Sequence, residues 1–280
     1  MILTNVPLPV SLAIIDPGAF NGCTALANVT IPDSVNTIGA SAYGACTSLT
    51  NVVIGSGVTN FGTTVFQGCT KLRTVTIGAP SIGNWFAGLP LISVTILNSV
   101  TNIGANAFAS LSSITNLVIG NGVMSIGNGA FTNCSGLGHV VIPASVSSIG
   151  SDAFYNCSGL NWIFFLGDVP SVGASAFDGV FATVYYLPYA AGWSSPFYGM
   201  TAYLWNPQPV MDDGNFGVRT NRFGFNITGT PGLIIMVEGS TNLVDWKPVQ
   251  ARLLSAGSAY FGDSQWTNYP ARLYRIRPYP

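Results

Sequence analysis

The sequence predicts a mainly β protein: a parallel β solenoid of about eight rungs, followed by a small antiparallel β sandwich. Three observations carry this reading. Apolar residues return at a fixed interval of 23 along most of the 280-residue chain. That interval stops near residue 206. Charged side chains, nearly absent before that point, become common after it.

The repeat is anchored on Leu3, Leu26, Leu49, Leu72, Leu91, Ile114, Leu137 and Leu160. Each step is 23 residues, except Leu72 to Leu91, which is 19. Counting from an anchor, apolar residues stand at +3 and +5 (Val29 and Ile31, Val140 and Ile142). These ends of a short strand point inward, because side chains alternate along a strand. A second apolar pair at +9 and +12 (Val35 and Ile38, Val146 and Ile149) predicts a second short extended or turn segment. Glycine usually follows at +13, read as a place where the chain bends without a Cβ penalty. An aromatic usually stands at +17. The Ala-Phe pair there, as in Ala107-Phe108, predicts one helical or 3₁₀ turn. One such unit cannot bury its own apolar face, so the rungs must stack. At about 4.8 Å per parallel strand, eight rungs make a rod roughly 35–40 Å long. The 19-residue step should distort the ladder locally.

Composition supports the same picture. Hydrophobic residues are 48% of the chain and charged residues 7%, against about 25% charged in an average soluble domain. No stretch approaches ~20 consecutive apolar residues, which argues against membrane insertion. Ser, Thr, Asn and Gly supply the polar surface instead. The net charge of −1 offers no basis for a nucleic-acid partner. Residues 1–206 hold two basic and five acidic residues, and residues 207–280 hold seven and five. That shift marks the domain boundary. The division expected is a solenoid with its closing element at 1–206, a linker at 207–215 around Asp212-Asp213-Gly214-Asn215, and a sandwich at 216–280. Five β-like runs, Phe223–Ile227, Leu233–Glu238, Trp246–Leu254, Ala259–Phe261 and Leu273–Arg277, are separated by turn residues in that last part.

The run Leu-x-x-Val-x-Ile-Pro-x-x-Val-x-x-Ile-Gly-x-x-Ala-Phe-x-x-Cys, from Leu137 to Cys157, resembles the BspA-type leucine-rich repeat of bacterial surface proteins. The resemblance covers roughly residues 3–180 and implies a leucine-rich-repeat solenoid. Thr183 to Trp193 resembles the closing element that follows such arrays. Residues 237–246 with the ending Arg272-Leu-Tyr-Arg-Ile-Arg resemble C-terminal β domains of secreted Verrucomicrobia-type proteins. This last resemblance implies secretion or surface display, but not an activity. No leader is legible after Met1, so export would need a signal outside this sequence.

Candidate chemistry is sparse. Cys23, Cys46, Cys69, Cys134 and Cys157 all fall at +20, a position that Leu111 fills in another rung. Interchange with leucine reads as a small core hydrophobe, although pairing of stacked neighbours such as Cys23–Cys46 or Cys46–Cys69 stays open. A metal site is not expected, since CxxC spacing is absent and the chain has one histidine. Asp212 and Asp213 read as solvated linker rather than calcium ligands, and Glu238 and Asp245 as surface or turn residues. No GxSxG, HExxH or GxxxxGK[ST] occurs, so neither an enzyme nor a cofactor is expected. The outward strand columns at +2 and +4 form a nearly uncharged stripe that turns apolar toward its C-terminal end. Asn116, Val118, His139, Val141, Trp162 and Phe164 are the candidate interaction face. The function expected is a non-catalytic scaffold on the cell surface or outside the cell, binding a protein or glycan. The alternative is a subunit that associates head to tail into a filament through an uncapped N-terminal edge. A weaker third reading has the C-terminal domain bind carbohydrate through Trp246, Trp266 and Tyr269.

Overall fold

The computed structural model describes residues 6–278 and has the expected mainly β architecture. Leu3 and Asn5 lie outside the described residues, and with them the first anchor and the edge invoked for head-to-tail assembly. Two compact units are present. The first runs to Val184 and includes Ala190–Thr201. The second comprises Tyr185–Tyr189 and the chain from Ala202 onward.

The first unit is the solenoid, and each rung presents three sides. On one side lie strands of three or four residues, among them Asn28–Ile31, Asn51–Ile54, Thr74–Ile77, Ser93–Ile96 and Asn116–Val118, paired in parallel in that order. Strands His139–Ile142 and Trp162–Phe165 pair in parallel and continue this side in a separate sheet. Their burial alternates as the pattern requires, with Val52 and Ile54 buried and Asn51 and Val53 partly exposed. On the second side lie two-residue strands such as Thr37–Ile38 and Ser148–Ile149, also parallel. The third side carries the Ala-Phe segment.

That third side is not helical. Residues four apart take left-handed backbone angles, for example Ser41 and Ala45, Asn106 and Ser110, Asp152 and Asn156. Every second N–H of the turn then points toward the next rung. Tyr43 donates to Val65 and Ala45 to Gln67, while Phe108 donates to Ala130 and Ser110 to Thr132. The turns therefore form a third inter-rung ladder. Gly, Asn and Asp, which fill many of these positions, tolerate positive φ better than other residues.

The glycine at +13 has a different cause from the one expected. Gly39, Gly62 and Gly173 are not at positive φ. A Cβ on them would lie only 2.3–2.4 Å from backbone nitrogens of Pro17, Ala40 and Ser151 in the preceding rung. Close stacking of backbones, not a bend, demands glycine there.

The core is a set of columns. Phe20, Tyr43, Phe66, Phe86, Phe108, Phe131, Phe154 and Phe177 stack with centroids 5.0–5.9 Å apart and rings within 19° of parallel. Phe197 covers the last ring at 5.8 Å. Trp193 packs on Phe165 and donates its indole N–H to the Gly167 carbonyl at 3.1 Å. The segment 190–201 thus closes the apolar interior.

The second unit contains two antiparallel sheets. One joins Gln208–Val210, Arg222–Thr228, Gly217–Arg219 and Ser258–Asp263, and the other joins Lys247–Leu253, Ile234–Ser240 and Leu273–Pro278. Phe225, Phe261 and Tyr274 pack between them, with centroids 5.0 and 5.2 Å apart. All five expected strands are present. The stretch expected as a linker contains strand Gln208–Val210, which pairs with Asn226–Thr228. Glu238 is not a surface residue: it is 4% exposed and receives Arg275 at 2.7 Å and Arg277 at 2.5 Å. Burial alone would raise its carboxyl pKa, but hydrogen bonds and charge from Arg277 and Arg275 outweigh this and hold it below the usual value.

Two outcomes follow. Phe131→Ala removes the ring between Phe108 and Phe154 and is expected to cost about 3–5 kcal/mol in urea unfolding. A carboxyl with a depressed folded pKa stabilises the fold fully above its ordinary value and loses that contribution as pH falls through the folded one. Hydrogen exchange in residues 234–240 and 273–278 should therefore accelerate as pH falls below about 4.5, the ordinary value for Glu238, after correction for intrinsic exchange. Glu238→Gln should flatten that dependence.

Candidate functional site

The candidate interaction face lies on the long strands. Asn116 pairs with Ser93, and Val118 with Thr95, in the first sheet. His139 pairs with Trp162, and Val141 with Phe164, in the next. Asn116 is exposed, Val118 is 48% exposed, and His139, Val141 and Phe164 are half-buried. Trp162 departs from expectation. It is buried, at 7% exposure, and its ring stacks on His139 at 4.5 Å. Its outward strand position does not leave it available for contact, so the exposed part of the stripe centres on Asn116, Val118 and Val141. The strand pairing is also discontinuous there, because Asn116–Val118 and His139–Ile142 belong to different sheets. Gly138 precedes the second strand where other rungs have Ala27, Thr50, Arg73, Ile92, Thr115 and Asn161.

A second feature, foreseen only as a local distortion, lies at the short rung. Two residues are missing between its strands: Ile77 to Ile82 spans five positions, against seven from Ile54 to Phe61. One more is missing before Phe86 and one before Leu91. The long strands absorb this without a register change, Thr74 pairing with Ser93 and Ile77 with Ile96. The other sides do not. Asn60–Phe61 and Ser81–Ile82 fall in separate sheets. Among the described residues, no backbone hydrogen bond joins the 64–68 turn to the 84–88 turn.

The deletion also places Trp85 directly before the core aromatic, where other rungs hold the buried small residues Ala42, Val65, Ala107, Ala130 and Ala153. An indole does not fit that slot. Trp85 instead stacks on Phe61, centroids 4.0 Å apart and planes within 8°. Phe61 itself stands where other rungs have Ile38, Ile103, Ile126 and Ile149. A Cβ on Gly83 would lie 2.7 Å from the Trp85 Nε1, so only glycine admits the indole there. Between the two turns opens a cleft of about 550 Å³ lined by Thr64, Gln67, Thr70, Asn84 and Trp85 among others. The irregular residues Phe61 and Trp85 were its sequence signal.

The cysteines belong to the core. All five are free thiols, so none of the stacked neighbours is bridged. Four donate to the carbonyl of the core aromatic one rung before: Cys46 to Phe20, Cys69 to Tyr43, Cys134 to Phe108 and Cys157 to Phe131, at 3.0–3.2 Å. Burial pushes Cys134 and Cys157 up to about 12. A weak donor in a leucine-sized slot explains why cysteine and leucine alternate there.

In the second unit, Asp213 accepts hydrogen bonds from the Asn215 N–H and from Asn226, which hold its carboxyl below the usual range. It braces a loop. Trp246 is covered by the Arg275 guanidinium at 4.5 Å and Tyr269 by Arg272 at 4.2 Å. Among the described residues, no group of three His, Cys, Asp or Glu side chains could hold a metal ion, and no helix is long and apolar enough to cross a membrane.

The rung geometry has a family counterpart. The model of the BspA type Leucine rich repeat region matches residues 2–85 and 83–186 in six copies. The chain belongs to this family. Several solved leucine-rich repeat structures are similar to part of it. A leucine-rich repeat protein from Bacteroides ovatus is 22% identical, with a TM-score of 0.44, over 62% of this chain and 59% of that one. A leucine rich cell surface protein from Faecalibacterium prausnitzii is 24% identical, with a TM-score of 0.35, over 67% and 60%. A T. pallidum leucine-rich repeat protein is 27% identical, with a TM-score of 0.38, over 60% and 70%. This chain thus spans about three fifths of the length of the first two. No curated protein matches it.

The thiol assignment is directly testable. Iodoacetamide on the native protein should leave Cys134 and Cys157 unmodified at pH 8, and denaturation should make all five reactive. Mass-spectrometric mapping reads the difference.

Proposed function

We propose that this BspA-type repeat protein is a non-catalytic scaffold, exported or displayed at the cell surface, whose long-strand face binds a protein partner. The observation that carries the reading is the character of that face at Asn116, Val118 and Val141: uncharged, exposed in part and partly apolar. Its apolar part is not a lone residue, since Val118 at 48% exposure and half-buried Val141 occupy equivalent positions in successive rungs. Faces of this kind favour contact with another surface over a bound small molecule.

The chemistry available points the same way. The one histidine is stacked against Trp162, which is a packing arrangement. Its neighbours in the adjacent rungs, Asn116 and Trp162, are uncharged, and two carboxylates of the solenoid serve as braces. Asp33 accepts the Ser56 N–H at 2.7 Å and Asp168 the Ala191 N–H at 2.7 Å. General acid–base work requires a titratable partner within hydrogen-bond reach of a reacting group.

The test is a binding screen of the full chain against extracellular and envelope proteins by surface plasmon resonance. Val118→Asp and Val141→Asp alter partly exposed positions and should keep the fold. A partner should emerge whose affinity falls at least about tenfold in either variant. Binding that is indifferent to both substitutions overturns the face assignment. Antibody labelling of intact against lysed source cells tests the location.

A further inference from the structure

The geometry points to a second binding site, the cleft of the short rung, and we infer that it takes a neutral, hydroxyl-rich ligand: a short run of an uncharged polysaccharide. Its volume of about 550 Å³ lies within the ~300–1,000 Å³ usual for small-molecule sites.

The chemistry of the wall selects the ligand class. The polar side chains that line the cleft are Thr64, Gln67, Thr70 and Asn84, which offer hydroxyls and amides. No ionisable side chain lines it, so a charged ligand would surrender its hydration without a counter-charge. The backbone adds donors. In regular rungs the N–H groups equivalent to those of Phe66 and Gly68 bond to the next turn, as Tyr43 does to Val65 and Ala45 to Gln67. Here the displaced turn provides no backbone acceptor, and an N–H in this position needs water or a ligand oxygen. A purely apolar ligand would leave these donors unmet. A sugar supplies oxygens to them and to the amides, while its C–H groups can lie against an aromatic.

Trp85 provides that aromatic. It lines the cleft, is half-exposed, and is held by its stack on Phe61. A side chain fixed before binding loses little entropy when the ligand arrives. The arrangement arises from two irregularities that act together, the shortened turn and Phe61 in an isoleucine column, with the regular glycine Gly83 leaving room for the indole.

The experiment uses the full chain and isothermal titration calorimetry with neutral gluco-, manno- and xylo-oligosaccharides. Heparin fragments serve as the anionic probe and a random extended-peptide mixture as the peptide probe. At least one neutral oligosaccharide should bind. Trp85→Ala should weaken it at least about tenfold. Gln67→Ala and Asn84→Ala are exposed changes that preserve the fold, and each should weaken it several-fold. Val118→Asp should leave this binding intact, which separates the cleft from the strand face. Four results would overturn the proposal: no neutral oligosaccharide binding at millimolar concentration, binding unaffected by Gln67→Ala and Asn84→Ala, tighter binding of heparin, or tighter binding of peptide.

Discussion

Parallel stacking in register places each residue beside its own equivalent in the next rung, about 4.8 Å away. Every column must therefore be compatible with itself, and most of the molecule follows from that. Two like charges at this distance repel by roughly 1 kcal/mol in water, and more at a protein surface. A column of lysines or glutamates would accumulate that cost at every step. Asn, Ser and Thr each carry donor and acceptor together and can pair with their own kind. Asn116 bonds to Ser93 at 2.9 Å, Ser125 to Asn102 at 2.6 Å, and Asn156 to Asn133 at 2.9 Å. The low charge of the solenoid is thus a consequence of its repeat. The aromatic column obeys the same rule with flat rings, and the glycine column obeys it where backbones approach too closely for a Cβ.

The second unit lacks this constraint and has charge. Its strands are antiparallel and its neighbours are unlike residues, so opposite charges can be placed together. Glu238 sits between Arg275 and Arg277, and Asp263, 3% exposed, takes Arg272 at 2.6 Å. The composition change near residue 206 records a change in the rule for neighbours.

The fold was largely legible because self-compatibility prints itself on the sequence as a period. Anchors, inward pairs, the aromatic column and the cysteine column could all be read from spacing. What could not be read depends on neighbours outside the period. Trp162 occupies an outward position, yet its ring is buried against His139, which spacing does not reveal. Glu238 acquires its partners from a strand that follows it by almost forty residues. The Ala-Phe turns looked helical because their left-handed residues are Ser, Thr, Asn, Asp and Ala as well as Gly, a mixture that hides their four-residue spacing. The cleft left a trace in the nineteen-residue step, but its shape required knowing which ladders the deletion would break.

The short rung has a consequence for how the solenoid comes apart. In a stacked array, stability is carried by interfaces between nearest neighbours, and cooperativity extends only as far as those interfaces remain strong. A complete junction, such as that between the rungs of Leu26 and Leu49, is joined by three ladders. The junction between the rungs of Leu49 and Leu72 keeps the long-strand ladder and the ring stack of Phe66 on Phe86, but has lost the other two. It is the weak coupling in the series. The rungs before and after it behave as two cooperative blocks, and a crack in the array starts at the rung that forms the cleft.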